Sequence, residues 1–189
     1  MIPEPCVATI GFFDGVHMGH RYLIQQVKEI AAAKGLRSAL VTFPVHPRKV
    51  MNAAYHPELL TTPEEKTNLL AGTGVDYCLM LDFTPDISRL TAKEFMTQIL
   101  KERFQVKYLV IGYDHRFGHN RSEGFDDYVR YGQAIGIEVI RAQAYTDDIQ
   151  IDTIQSAPVS SSLIRKLLHQ GDVDVAARCL GYEYFLDGT

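Results

Sequence analysis

The sequence predicts an α/β fold in a single domain, with about five parallel strands covered by helices on both faces. Three observations predict it. Short apolar, β-branched runs recur along the chain and end at turn residues. Segments of helical period lie between them. Helix-start and helix-stop residues bracket several of those segments.

The elements follow in order. Cys6 to Phe13 is apolar and ends at Asp14-Gly15, so it reads as a buried strand. His20 to Lys34 carries Leu23, Ile24, Val27, Ile30 and Ala31 on one helical stripe, and Gly35 stops it. Ser38 to Phe43 is a second buried strand. Thr62-Pro63-Glu64-Glu65 opens a helix, with Thr62 as N-cap, Pro63 at N1 and Glu65 at N3. Asp76 to Leu81 is a third strand. Thr91 caps a helix running to about Phe104. Tyr108 to Ile111 is a fourth strand, 124–135 a helix, and Ile137 to Ala142 a fifth strand. Alternating strands and helices imply right-handed βαβ units. Ligands of such sheets lie beyond the carboxyl ends of the strands. The segments to watch are therefore 11–20, 43–50, 82–88, 112–121 and 143–162.

Composition narrows the function classes. The chain has 189 residues, 46% of them apolar and 22% charged, with a formal charge of −4. No apolar run approaches the ~20 residues of a membrane span, and the first residues lack a basic, then apolar, secretory pattern. An acidic chain without a Lys/Arg block predicts no nucleic-acid partner. Cys6, Cys78 and Cys179 are odd in number and widely spaced, which suits neither a disulfide framework nor a zinc site and points to a reduced, cytoplasmic setting. Oligomeric state stays open.

Four post-strand clusters carry chemistry-bearing residues. The first is Gly11-Phe12-Phe13-Asp14-Gly15-Val16-His17-Met18-Gly19-His20. It is neither a Walker A loop nor a dinucleotide fingerprint. It is still a strand end, a glycine turn and a helix start, which attracts anions. His17 and His20 face one side of the first turn, and Gly19 leaves room for a flat group. Taken alone, the pair also fits a capped helix start with two surface histidines. The second cluster is Val159-Ser160-Ser161-Ser162-Leu163-Ile164-Arg165, where Ser161 and Arg165 share a helix face. Hydroxyls, free N–H groups and a guanidinium suit a polyphosphate; a plain serine cap with a solvated arginine fits as well. The third, Val41-Thr42-Phe43-Pro44-Val45-His46-Pro47-Arg48, displays Phe43 and His46 on an extended loop, or merely packs that loop. The fourth, Gly112-Tyr113-Asp114-His115-Arg116-Phe117-Gly118, suits a flat polar ligand or a charged turn. His17, His20, Arg165 and the helix starts are expected to concentrate positive potential.

These clusters, in this order, resemble the adenylyltransferase half of the prokaryotic bifunctional riboflavin kinase/FMN adenylyltransferase (FAD synthetase) family. Leu60-Thr61-Thr62-Pro63-Glu64-Glu65-Lys66 and Ala176-Ala177-Arg178-Cys179-Leu180-Gly181 also match, so the likeness covers residues 6–185. It implies a Rossmann-like, doubly wound sheet and the reaction FMN + ATP → FAD + pyrophosphate, with Mg²⁺ on the ATP phosphates. It implies that His17, His20 and Arg165 are catalytic. Gly11, Phe13, Asp14, Gly15, Gly19, Ser161 and Ser162 would join them in holding ATP. Phe43, His46, Pro47, Asp114 and Phe117 would surround the flavin, and no protein metal ligand is expected. The sequence departs from the family pattern at Ser162, where threonine is usual, at Pro44-Val45, at Ala157-Pro158 and at His115. The domain is expected over 1–185, with 186–189 starting a linker and the kinase half absent. Two alternatives stand beside this reading. One is another acceptor, such as pantetheine phosphate, nicotinamide mononucleotide or glycerol phosphate. The other is a non-catalytic nucleotide or flavin module.

Overall fold

The structure, a computed structural model, describes residues 4–112, 115–119, 122–145 and 158–185. Asp114, Ala157 and the expected linker start at 186–189 lie outside the described residues.

Five parallel strands form the sheet: β1 (Cys6–Ile10), β2 (Arg37–Thr42), β3 (Tyr77–Met80), β4 (Val106–Ile111) and β5 (Glu138–Arg141). Their order is β3-β2-β1-β4-β5, so the winding reverses between β1 and β4. All of β1 is buried, because helices cover both faces. Alternate residues divide between the faces, as the two-residue period of a strand requires. Cys6, Ala8 and Ile10 pack with Phe95, Met96, Leu100 and Tyr128 on one side. Val7 packs with Val27 and Ala31 on the other.

The helices explain themselves locally. On α1 (Met18–Lys34), Ile24, Val27 and Ala31 form the buried stripe, and Gly35 ends it in the left-handed region, at φ 64. α2 (Pro47–Met51) is a short turn capped by His46. α3 (Pro63–Ala71) carries the full expected capping box: Thr62 Oγ1 accepts from Glu65 N, and Thr62 N donates to Glu65 Oε2. After α4 (Pro85–Ser88), α5 (Ala92–Glu94) starts on the expected Thr91 cap. From Phe95 to Arg103 it then widens into a π-helix, seen where Phe104 N bonds Ile99 O rather than Leu100 O. The wider turn lets Phe95, Met96, Ile99 and Leu100 all face the sheet. α6 (Phe125–Ile135) precedes β5, and α7 (Ser161–Gln170) and α8 (Val173–Leu180) close the described chain.

Element order and type agree with the sequence reading, and the differences are local. β1 ends at Ile10, three residues early, because Phe13 enters the left-handed region, at φ 57. α1 begins at Met18 rather than His20, because His17 caps it. α2, α4 and α8 carried no sequence-level prediction.

Candidate active site

A cavity of about 720 Å³ opens at the carboxyl ends of β1 and β4, where the strand order reverses. This is the place where open α/β sheets take ligands.

The turn after β1 builds its floor. Phe13 (φ 57), Gly15 (φ 76) and Val16 (φ 41) all have positive φ. Glycine accepts this freely, whereas β-branched Val16 stores roughly 1–3 kcal/mol of strain. At Gly15 a Cβ would also come within 2.8 Å of the Leu60 side chain. Partners hold the turn in place. Gly15 N donates to Thr61 Oγ1 at 3.2 Å, Arg21 Nε to the Val16 carbonyl at 3.1 Å, and the Tyr182 hydroxyl to the Gly15 carbonyl at 2.7 Å.

Asp14 is the hub. Its Oδ1 accepts from Leu60 N at 2.9 Å and Thr61 N at 3.3 Å, and its Oδ2 pairs with Arg165 Nη1 at 2.8 Å. Burial raises the Asp14 carboxyl above its ordinary value, while the Leu60 N–H, the Arg165 guanidinium, the Thr61 N–H and Lys66 pull it back. Arg165 Nη1 also reaches the Glu58 carbonyl at 3.2 Å, and Nη2 reaches Ser162 Oγ at 3.5 Å. Ser161 Oγ donates to the Asp14 carbonyl at 2.9 Å, and Ser160 Oγ caps α7 by accepting from Leu163 N. The N-terminus of α7 thus stands over the floor built by the first loop.

The two histidines stack, with ring centroids 3.6 Å apart and planes 18° from parallel. His17 Nδ1 accepts from His20 N at 3.3 Å. A neutral His17 must then carry its proton on Nε2. Burial pushes His17 down to about 4. Burial first, then His17 and His115, push His20 well below the usual histidine range. Both rings are therefore neutral at pH 7: their share of the expected positive potential is limited to N–H dipoles, beside the Arg165 guanidinium and the helix starts. His20 Nδ1 is buried without a hydrogen-bond partner among the described residues. At Gly19 an added Cβ would crowd the His17 ring at 3.2 Å, so a larger residue there would press on the stack.

The expected residues divide. Gly11, Phe13, Asp14, His17, Gly19, His20, His46, Ser161, Ser162 and Arg165 line the cavity. Gly15, Phe43, Pro47 and Phe117 do not. Phe43 is buried in the core, edge-on to Phe83 at 5.6 Å. Phe117 is buried and stacked on Tyr128 at 4.3 Å. The His46 ring meets Phe12 edge-on at 4.7 Å and lies near Tyr55 at 5.4 Å. Its Nδ1 accepts from Arg48 N at 3.2 Å, and burial lowers its pKa.

Sequence reasoning missed Tyr182 and Lys66 as parts of this assembly. Lys66 is only 2% exposed, and its Nζ donates to the carbonyls of Phe12 and Phe43. A signal was present: Lys66 shares a helix face with Leu69 and Leu70, at i, i+3 and i+4.

Comparison with known proteins bears on this geometry. The FAD synthetase family matches residues 1–158, most of the chain. The chain belongs to that family. A bifunctional riboflavin kinase/FMN adenylyltransferase of Listeria monocytogenes is 34% identical over 97% of the chain and 56% of its own length. The namesakes from Escherichia coli K12 and Bacillus subtilis are each 32% identical, over 98% and 96% of the chain. The chain thus spans about half the length of these relatives, and their alignments extend past the family match into α7 and α8. A crystal structure described as a macrolide-efflux protein from Streptococcus pneumoniae superposes with a TM-score of 0.82. It is 28% identical and covers 97% of this chain and 67% of its own. The Rossmann-like, doubly wound class is therefore shared with solved structures.

Proposed function

We propose that the chain transfers the AMP moiety of ATP to FMN, giving FAD and pyrophosphate. One observation carries the reading beyond family membership: a single cavity joins an end suited to phosphates to an aromatic end. At the first end the N-termini of α1 and α7 converge with His17, His20, Ser161, Ser162 and Arg165. At the second stand Phe12, His46 and Tyr55. A nucleoside triphosphate and a flavin phosphate need such neighbours.

The chemistry follows from the groups present. The FMN phosphate is already an anion at neutral pH, so its attack on the α-phosphorus needs no general base. Catalysis rests on positioning and on donors aimed at developing charge. Neutral His17, through its Nε2–H, and His20 would donate to the α-phosphoryl and leaving oxygens. Arg165, with the α7 hydroxyls, would hold the β- and γ-phosphates, sharing its fork with Asp14. Among the described residues no group of three or more His, Cys, Asp or Glu is placed to hold a metal ion. In this reading Mg²⁺ enters with the substrate, carried on the ATP phosphates. Among the described residues no helix is long and apolar enough to cross a membrane. Among the described residues Cys6 and Cys78 are in no disulfide, which suits the proposed cytoplasmic setting.

Chromatographic detection of FAD from FMN plus Mg-ATP tests the proposal, with riboflavin, pantetheine phosphate, nicotinamide mononucleotide and glycerol phosphate as parallel acceptors. FAD should form from FMN; pyrophosphate release with another acceptor and none with FMN would sink the reading. His20→Ala should lower kcat by about 10²–10³ with a smaller change in ATP affinity. A kcat within about threefold of the parent would remove His20 from the role.

A further inference from the structure

Lys66 is the unexplained group in this molecule. Its side chain leaves the first turns of α3 and ends between the strand ends, almost wholly buried. Among the described residues no carboxylate lies within ion-pair distance of it. Its ammonium has three N–H donors. One meets the Phe43 carbonyl at 2.8 Å, beyond β2, and one the Phe12 carbonyl at 3.2 Å, beyond β1. The charge also sits 3.8 Å from the centroid of the Phe12 ring. A buried ammonium is costly, and a surface lysine in its place would carry no such cost. The gain is geometric. Phe12 is the ring against which His46 packs, and both line the cavity at its aromatic end.

We infer that Lys66 is a positioning residue for the acceptor end of the cavity: its ammonium ties the loop after β1 to the loop after β2 and so fixes the Phe12–His46 wall on which a flat, phosphate-bearing acceptor rests. The inference builds on the proposed transfer to FMN. Lys66 does not line the cavity and acts through Phe12 and Phe43. Burial pushes the ammonium down to about 8, while Asp14 from the loop after β1 and Cys78 on β3 pull it up. His46, after β2, feels its charge in turn. The tie therefore weakens within an accessible pH range.

Lys66→Met removes the donors at nearly constant volume. The expected result is a KM for FMN raised at least tenfold, with the KM for ATP within twofold. Equal rises in both, or an unchanged KM for FMN, would overturn the inference. In the ligand-free protein, Lys66→Met should shift the NMR ring signals of His46 and leave those of His169 on α7 in place. An unmoved His46 overturns the inference without reference to any substrate. A moved His46 in a protein that makes no FAD would instead refute the proposed reaction and leave the positioning role standing. Should Lys66→Met fail to fold, the wild-type protein serves. Its affinity for FMN, followed by flavin fluorescence, should fall at least threefold between pH 7 and pH 9, and a flat profile would overturn the inference.

Discussion

The sheet and the α7–α8 pair are held by different forces. In the sheet, β1, β2 and β4 are covered on both faces, and Ala8, Leu40, Leu109 and Val110 are wholly buried. That stabilisation is hydrophobic and spread over many residues. The helical pair has a small apolar cluster of its own, built on Ile164, Leu167, Ala176, Cys179 and Leu180, with Leu60 joining from outside. Its attachment to the sheet's first loop is polar and concentrated: Ser161 and Arg165 on Asp14, and Tyr182 on Gly15. The cavity lies on this seam. A site between a well-packed sheet and a part fastened by a few directed bonds can hold its geometry and still adjust to a ligand.

The largest expected effect comes from cutting the seam at its hub. Asp14→Ala leaves Arg165 uncompensated and strips the Leu60 and Thr61 amides of their acceptor, at a cost of about 3–5 kcal/mol. Hydrogen exchange should show α7 losing protection ahead of β1 and β4. Equal loss in both regions would break the comparison. Next come paired cavity variants. Leu109→Ala in the sheet and Leu167→Ala in the pair should each cost about 2–5 kcal/mol, with Leu109 at the upper end. Urea unfolding of the first should stay a single cooperative step, while the second should open α7 and α8 first.

A smaller effect is set by pH. His17 titrates at about 4 in the folded chain against an ordinary 6.5, because burial favours its neutral form. Its contribution to stability is full above pH 6.5 and is lost as pH falls toward 4, roughly 3 kcal/mol in all. His20 acts in the same direction. His17→Asn keeps a capping side chain and should flatten the stability curve across that window. An unaltered slope would show that His17 is not the titrating group. The smallest effect is Tyr182→Phe, about 1 kcal/mol for one hydrogen bond, read as a drop in Tm. No drop would leave the seam resting on Asp14.

Much of this architecture was legible in advance. Thr62 and Thr91 cap the helices they were expected to cap, and Gly35 ends α1, because capping depends on residues three or four apart. The strands were legible because burial on both faces demands apolar runs. The π-helix after Glu94 was not, since sequence carries no clear signal for bonds to the fifth residue. Nor were α2 and α4, which are too short for a period to show. At the site, the residues of the first loop and of α7 were found because each cluster is contiguous in the chain. Phe43 and Phe117 were expected at the flavin and turn out to lie in the core, because an aromatic ring after a strand satisfies either demand equally well.

Local chemistry, acting between near neighbours in the chain, settled the order of elements, their caps and the strand ends where a ligand belongs. Only the folded structure decided which groups are charged and which are occupied. Arg165 meets Asp14 across 151 positions and Lys66 meets Phe12 across 54. Burial keeps both histidines neutral, so they act as hydrogen-bond donors and carry no charge. Charge state depends on solvent access, and solvent access belongs to the packed molecule rather than to any segment of it.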